Sequence, residues 1–125
     1  ILAGTSGFPA GGWRFRYQGE DKNMEDFFLS GQEGQVMVGK QLKSPDISLN
    51  WPTVSRHHAV IQMRNGTCTV RDCSSTNGTY LDGNRLGREE TRFLSPGSEL
   101  KFADVAFRIE EMGLDENATT ILAGP

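Results

Sequence analysis

At 125 residues the chain has room for one domain with a sizeable core and is too short for two of ordinary size. Hydrophobic residues at 36% and charged residues at 23% exclude a disordered or membrane-type composition, and no apolar run approaches the roughly 20 residues that a bilayer-crossing helix needs. The net charge of −3 speaks against a nucleic-acid backbone as the main partner. Lys40, Lys43, Arg56, Arg64 and Arg71 gather mid-chain, after Glu20, Asp21, Glu25, Asp26 and Glu33 and before Asp115 and Glu116. A small basic site on an acidic protein suits one anionic group better than a polyanion.

Residues 1–12 hold Gly4, Gly7, Pro9, Gly11 and Gly12 without periodicity and read as a flexible linker. Neither an initiator Met nor a signal-peptide pattern opens the chain, so a segment of a longer protein is expected. Trp13 to Tyr17 alternates aromatic and basic residues, which predicts a strand with one buried face in preference to a nucleic-acid stacking surface. Phe27 to Leu29 is a second short strand and Ser30 to Gly34 a turn. Gln35 to Lys40 is a strand in which Gly39 lets the backbone turn or approach closely, with Lys40 at its exit. A polar loop over Gln41 to Pro45 leads to the very short strand Ile47 to Leu49 and then to a turn, Asn50 to Thr53, where Pro52 biases Trp51 to an extended shape.

His58 to Met63 and Thr67 to Arg71 are rich in β-branched and apolar residues and meet at Asn65-Gly66, the strongest local signal for a two-residue hairpin. Pairing these strands brings Ser55, Arg56 and His58 beside the loop Ser74 to Gly78, and hydroxyl, guanidinium, imidazole and amide groups on one rim can hold an oxyanion. His57 is expected on the solvent face of the strand. Thr79 to Leu81 is a further strand, and Asp82-Gly83 turns the chain back through Arg85 and Leu86. Glu89 to Arg92 is polar, Ser95 to Gly97 is a turn, and Glu99 to Phe102 with Ala106 to Glu110 form a last hairpin around Asp104. No window keeps a helical period, so an all-β sandwich is expected over residues 13–112, with a flexible tail at 113–125. Cys68 and Cys73 are too few and too badly spaced for a disulfide framework or a metal site and are expected as small buried residues, which points to a reducing compartment.

Ser55-x-x-His58, followed across the hairpin by Ser75-Thr76-Asn77-Gly78-Thr79 and preceded by Gly39-Lys40 and Asp46-Ile47, resembles the signature of the forkhead-associated (FHA) domain, a phosphothreonine-binding β-sandwich. The resemblance runs from about Gln35 to Glu111. It implies two mostly antiparallel sheets of about eleven short strands with the binding site on loops at one rim. By this likeness Lys40 and Arg56 supply positive charge, Ser55 its hydroxyl and backbone N–H, Thr76 lines the phosphate site, and Asn77 holds the loop and bonds the peptide backbone. Gly39, His58 and Gly78 support the site, His58 by fixing the loop that presents the serine, and the loops carrying Lys43, Thr53 and Asp104 are candidates for reading residues beyond the phosphothreonine. Lys40 departs from the family's usual arginine, and a lysine is a point charge where arginine offers a planar fork to two oxygens. Arg56 can restore that fork from another direction.

The implied function is a non-catalytic phosphopeptide-binding module of a Ser/Thr kinase signalling pathway, without metal or cofactor, membrane or nucleic acid. Its partner is a phosphothreonine-bearing protein or peptide, in the cytoplasm or another reducing compartment, the nucleus included if the organism is eukaryotic. Ile-Leu-Ala-Gly recurs at residues 1–4 and 121–124, and beside the second copy Thr119 and Thr120 are candidate phosphoacceptors through which the tail could occupy this domain or a neighbouring copy. Two rivals stand beside this reading. Ser55, His58 and Asp72 have the residue types of a hydrolytic triad, although a triad is defined by geometry and no nucleophile elbow accompanies them. The other rival is a scaffold of the same fold that binds a protein partner independently of phosphate.

Overall fold

The computed structural model describes residues 12–30, 33–40 and 47–112. The expected linker 1–12, apart from Gly12, which opens the first strand, the tail from 113, Lys43, Thr119 and Thr120 lie outside the described residues. Eleven strands are formed: β1 (Gly12–Tyr17), β2 (Phe27–Ser30), β3 (Glu33–Gly39), β4 (Ile47–Ser48), β5 (Ala59–Arg64), β6 (Thr67–Asp72), β7 (Thr79–Leu81), β8 (Asn84–Arg85), β9 (Thr91–Phe93), β10 (Glu99–Phe102) and β11 (Val105–Met112). They make two sheets, five strands in the order β9-β6-β5-β3-β4 and six in the order β2-β1-β11-β10-β7-β8. Every pairing is antiparallel except the short parallel contact of β3 with β4. The all-β sandwich anticipated from the sequence is the fold observed.

The core follows from the period-2 pattern of the strands. Trp13 and Phe15 of β1, Leu100 and Phe102 of β10, and Val105, Phe107 and Ile109 of β11 face Val38 of β3, Ala59, Ile61 and Met63 of β5 and Cys68 and Val70 of β6, all buried. Phe15 stacks on Phe27 with ring centroids 4.5 Å apart, and Phe27 meets Phe107 edge-on at 5.0 Å. Each fully buried phenylalanine contributes about 2–3 kcal/mol from apolar burial alone. The β5–β6 hairpin closes with Asn65 at φ 54° and Gly66 at φ 80°, the paired left-handed conformation whose twist matches that of the strands. Asp82 (φ 51°) and Gly83 (φ 83°) repeat it between β7 and β8.

Four local expectations are corrected. Thr91–Phe93, which overlaps the stretch Glu89 to Arg92 read only as polar, is the edge strand β9, pairing Thr91 with Arg71 and Phe93 with Thr69. It buries no complete face, and Phe93 is 69% exposed, so it carries no hydrophobic alternation to detect. Strand β3 begins at Glu33, inside the expected turn, because its first residues pair with β5 while staying exposed. His57 lies exposed in the bend before β5 rather than on the strand. Cys73, expected buried, is only half-buried because it follows the last residue of β6, whereas Cys68 is buried within that strand.

Three chain segments converge at one end of the five-stranded sheet. Lys40 N donates to Ser55 O (3.1 Å) and His58 N to Val38 O (2.9 Å), which ties the exit of β3 to the segment before β5. Cys73 N donates to His58 O (2.9 Å), which ties that segment to the exit of β6. The loop from Cys73 to Gly78 is thereby held against Ser55.

Candidate functional site

The segment 55–58 folds back on itself because His58 is an internal acceptor. Its imidazole is fully buried, and Nδ1 accepts the backbone N–H of Ser55 at 3.0 Å. Nε2 lies 2.9 Å from the carbonyl oxygen of Gly78. A carbonyl can only accept, so Nε2 carries the proton and Nδ1 the lone pair. Burial pushes the imidazole's pKa down, against the opposing pull of the Gly78 carbonyl and the Asp72 carboxylate. His58 is thus a neutral clamp between the serine segment and the Asn77-Gly78 loop.

That loop is organised from beneath by Asp72, the last residue of β6, which is 5% exposed. Its Oδ1 accepts the hydroxyls of Ser75 (2.6 Å) and Thr79 (2.7 Å), and its Oδ2 accepts the backbone N–H of Ser75 (3.0 Å). Ser75 Oγ in turn accepts the N–H of Gly78 at 3.0 Å. Burial raises the carboxyl's pKa, but the hydrogen bonds from Ser75 and Thr79 and the neighbouring His58 outweigh it and hold the group below its ordinary range. Gly78 sits at φ 91°, where a side chain is strained.

On this base the exposed end is assembled. Ser55 Oγ accepts the backbone N–H of Thr76 at 3.0 Å, which leaves the hydroxyl proton free to donate outward. The Ser55 N–H, expected to face a ligand, is engaged by His58 instead. Asn77 Nδ2 donates to Thr53 O at 2.7 Å, and Thr53 Oγ1 donates to Asp104 Oδ1, so the turn between β10 and β11 is drawn to the same rim. Arg56, Thr76 and Asn77 are exposed, Lys40 and Ser55 half-buried. Neither Arg56 nor Lys40 makes an ion pair among the described residues. The structure therefore gathers Lys40, Ser55, Arg56, Thr76, Asn77, Thr53 and Asp104 at one rim, with Gly39, His58 and Gly78 beneath. Lys43 lies outside the described residues.

The triad types do not form a relay. Both ring nitrogens of His58 bond backbone groups, neither bonds Ser55 Oγ, and Asp72 is filled by Ser75 and Thr79. Asp72 organises the loop, a role not read from the sequence. Its signal was the spacing of a carboxylate with hydroxyls three and seven residues on, an Asx-type loop pattern.

What the fold and rim define is a β-sandwich with exposed donors gathered on the loops at one end. The FHA domain model matches residues 36–103, and the chain belongs to the FHA family. It is 36% identical over 68 residues to the protein phosphatase 1 regulatory inhibitor subunit PPP1R8 homolog of Arabidopsis thaliana, spanning 54% of this chain but only 18% of that protein's length. Among solved structures, the FHA domain of an Arabidopsis thaliana hypothetical protein superposes with a TM-score of 0.73 at 20% identity, covering 95% of this chain and 99% of that one. Mycobacterium tuberculosis EmbR in complex with a low-affinity phosphopeptide superposes with a TM-score of 0.68 at 22% identity, covering 86% of this chain and 26% of EmbR.

Proposed function

We propose that this chain is a phosphopeptide-reading module whose rim takes the phosphothreonine of a partner protein, without catalysis. The observation that carries the reading is the pairing of Ser55 with Arg56. The Ser55 hydroxyl is fixed by the Thr76 N–H with its own proton free, and the adjacent guanidinium is exposed and unpaired among the described residues. A phosphate with roughly −1.5 to −2 charges and three acceptor oxygens matches such a set. Lys40, tied to Ser55 O through its backbone, adds a second cation. The family and the EmbR complex support the same ligand class. Each hydrogen bond to a charged group contributes about 1.5–3 kcal/mol, so a few of them, less the cost of ordering a peptide, give about micromolar affinity. The ligand is carried by a partner protein, by the chain's own tail phosphorylated at Thr119 or Thr120, or by the tail of a second copy.

The test is anisotropy titration with a degenerate phosphothreonine peptide library and its unphosphorylated, phosphoserine and phosphotyrosine counterparts, together with a peptide of residues 116–125 phosphorylated at Thr119 or Thr120. Phosphothreonine peptides are expected to saturate, and Ser55→Ala and Arg56→Ala to weaken them at least tenfold. Partner binding that survives both substitutions would establish the phosphate-independent scaffold instead.

A further inference from the structure

We propose that Arg85, Lys101 and Tyr80 form a second anion subsite beside the rim, which reads an acidic side chain of the bound peptide. This rests on the phosphopeptide reading above. The three residues occupy one transverse row of the outer face of the six-stranded sheet: Lys101 of β10 is directly opposite Tyr80 of β7, and Tyr80 is opposite Arg85 of β8. Both cations lie over the same ring, Lys101 Nζ at 5.4 Å and the Arg85 guanidinium carbon at 6.0 Å from its centroid. Tyr80 lies between them in the row, and each cation is drawn to its ring. Neither makes an ion pair with a carboxylate among the described residues. By contrast, Arg14 and Arg16 on the same face are paired, with Asp26 and Glu110. Two cations gathered on one ring without a counter-ion make a place for an external anion.

The row is continuous with the candidate phosphate site through a single residue. The N–H of Thr76 is bonded to the Ser55 hydroxyl, and the carbonyl of Thr76 accepts from Arg85 Nη2 at 3.4 Å. Gly78 is what lets the guanidinium lie there, since a Cβ at that position would stand 2.7 Å from Arg85 Nε. From the Ser55 hydroxyl to the Arg85 guanidinium the path is no more than about 10 Å, or roughly three residues of extended peptide. An acidic side chain within about three positions of a phosphothreonine seated at Ser55 therefore reaches the row. A carboxylate and a second phosphorylated residue share this chemistry.

Anisotropy titration at low salt with one phosphothreonine peptide tests the inference. Its flanks are neutral, or carry a single Asp, or a single phosphoserine, moved through the positions on either side. Asp is expected to tighten binding about three- to tenfold at one or two positions on one side only, phosphoserine more strongly, with both gains shrinking as salt rises. The readout is the ratio of acidic to neutral affinity, so any loosening of the loop cancels. Lys101→Gln is expected to halve the ratio, Arg85→Gln to bring it to about one, and Arg85→Glu to reverse the preference toward a Lys flank. An advantage for neither Asp nor phosphoserine at any position, or one that survives Arg85→Glu in a folded variant, overturns the subsite while the neutral peptide's binding leaves the phosphothreonine reading intact. Gain from phosphoserine alone identifies the second anion as phosphate. If no phosphothreonine peptide binds, both readings fall.

Discussion

Replacing Asp72 by Asn removes the charge beneath the loop with almost no change of shape. The carboxylate accepts three hydrogen bonds in a nearly dry site, at 2.6, 2.7 and 3.0 Å. An amide has one oxygen. With that oxygen toward the Ser75 and Thr79 hydroxyls, its NH2 opposes the Ser75 N–H and leaves a buried donor unpaired, at a cost of about 1–3 kcal/mol. The two hydroxyl bonds also fall from charge-assisted to neutral strength, about 0.5–1.5 kcal/mol each. Relief from burying a charge offsets part of this, so Asp72→Asn is expected to lose about 2–4 kcal/mol, a large share of a small domain's 5–15 kcal/mol. Urea unfolding at neutral pH measures that loss. The acid limb provides an independent check. Because the folded carboxyl titrates below its ordinary value, the wild-type contribution is complete above about pH 5 and is lost as pH falls toward and through the folded pKa. Asp72→Asn should lack this limb. A variant within 0.5 kcal/mol of wild type, or one with the same acid limb, would refute the claim that Asp72 organises the loop.

Two further outcomes follow from the same network. His58 is neutral in the fold with its pKa depressed, so the unfolded chain takes up the proton first. The His58 contribution should be flat above about pH 7.5 and fall by up to about 1.4 kcal/mol per unit as pH drops below about 6.5, a limb that His58→Gln should remove in urea melts. Gly78→Ala meets both the positive φ and the Arg85 side chain, and is expected to cost about 2–3 kcal/mol by thermal or urea unfolding. Most of that cost should return in the double variant Gly78→Ala/Arg85→Ala if the clash dominates, and little of it if backbone strain does.

The sandwich was legible because the two hairpin turns and the alternating strands are local signals, each written within a few residues. Ser55, His58 and the Ser75–Gly78 loop were legible for a different reason: a tight hairpin fixes which segments must meet, so residues 20 apart in sequence, such as His58 and Gly78, could be placed together. The direction of individual bonds was not. Nothing in Ser55-x-x-His58 says that the imidazole takes the serine's N–H, which removes that donor from the ligand side. Asp72 was visible as a residue type, but its partners depend on the backbone path of the loop. Arg85 sits on a two-residue exposed strand with no pattern of its own, and only cross-strand register reveals Tyr80 and Lys101 as its neighbours.

The hydrogen bonds at this rim form one connected path from the interior to the surface. The buried Asp72 carboxylate takes the Ser75 hydroxyl, which takes the Gly78 N–H. The Gly78 carbonyl takes His58, which takes the Ser55 N–H, and the Ser55 hydroxyl takes the Thr76 N–H. Each donor is consumed by the next acceptor, so the free polar valences remain at the outer end, on the Ser55 hydroxyl, Arg56 and Lys40. Water competes for every oxygen of a phosphate, and donors that must first be ordered give much of their energy to entropy. A path already closed in the free domain removes that cost for the serine and leaves it only for the two long cations. On the proposed phosphopeptide reading, the rigid serine donor carries the geometry and Lys40 is asked only for charge.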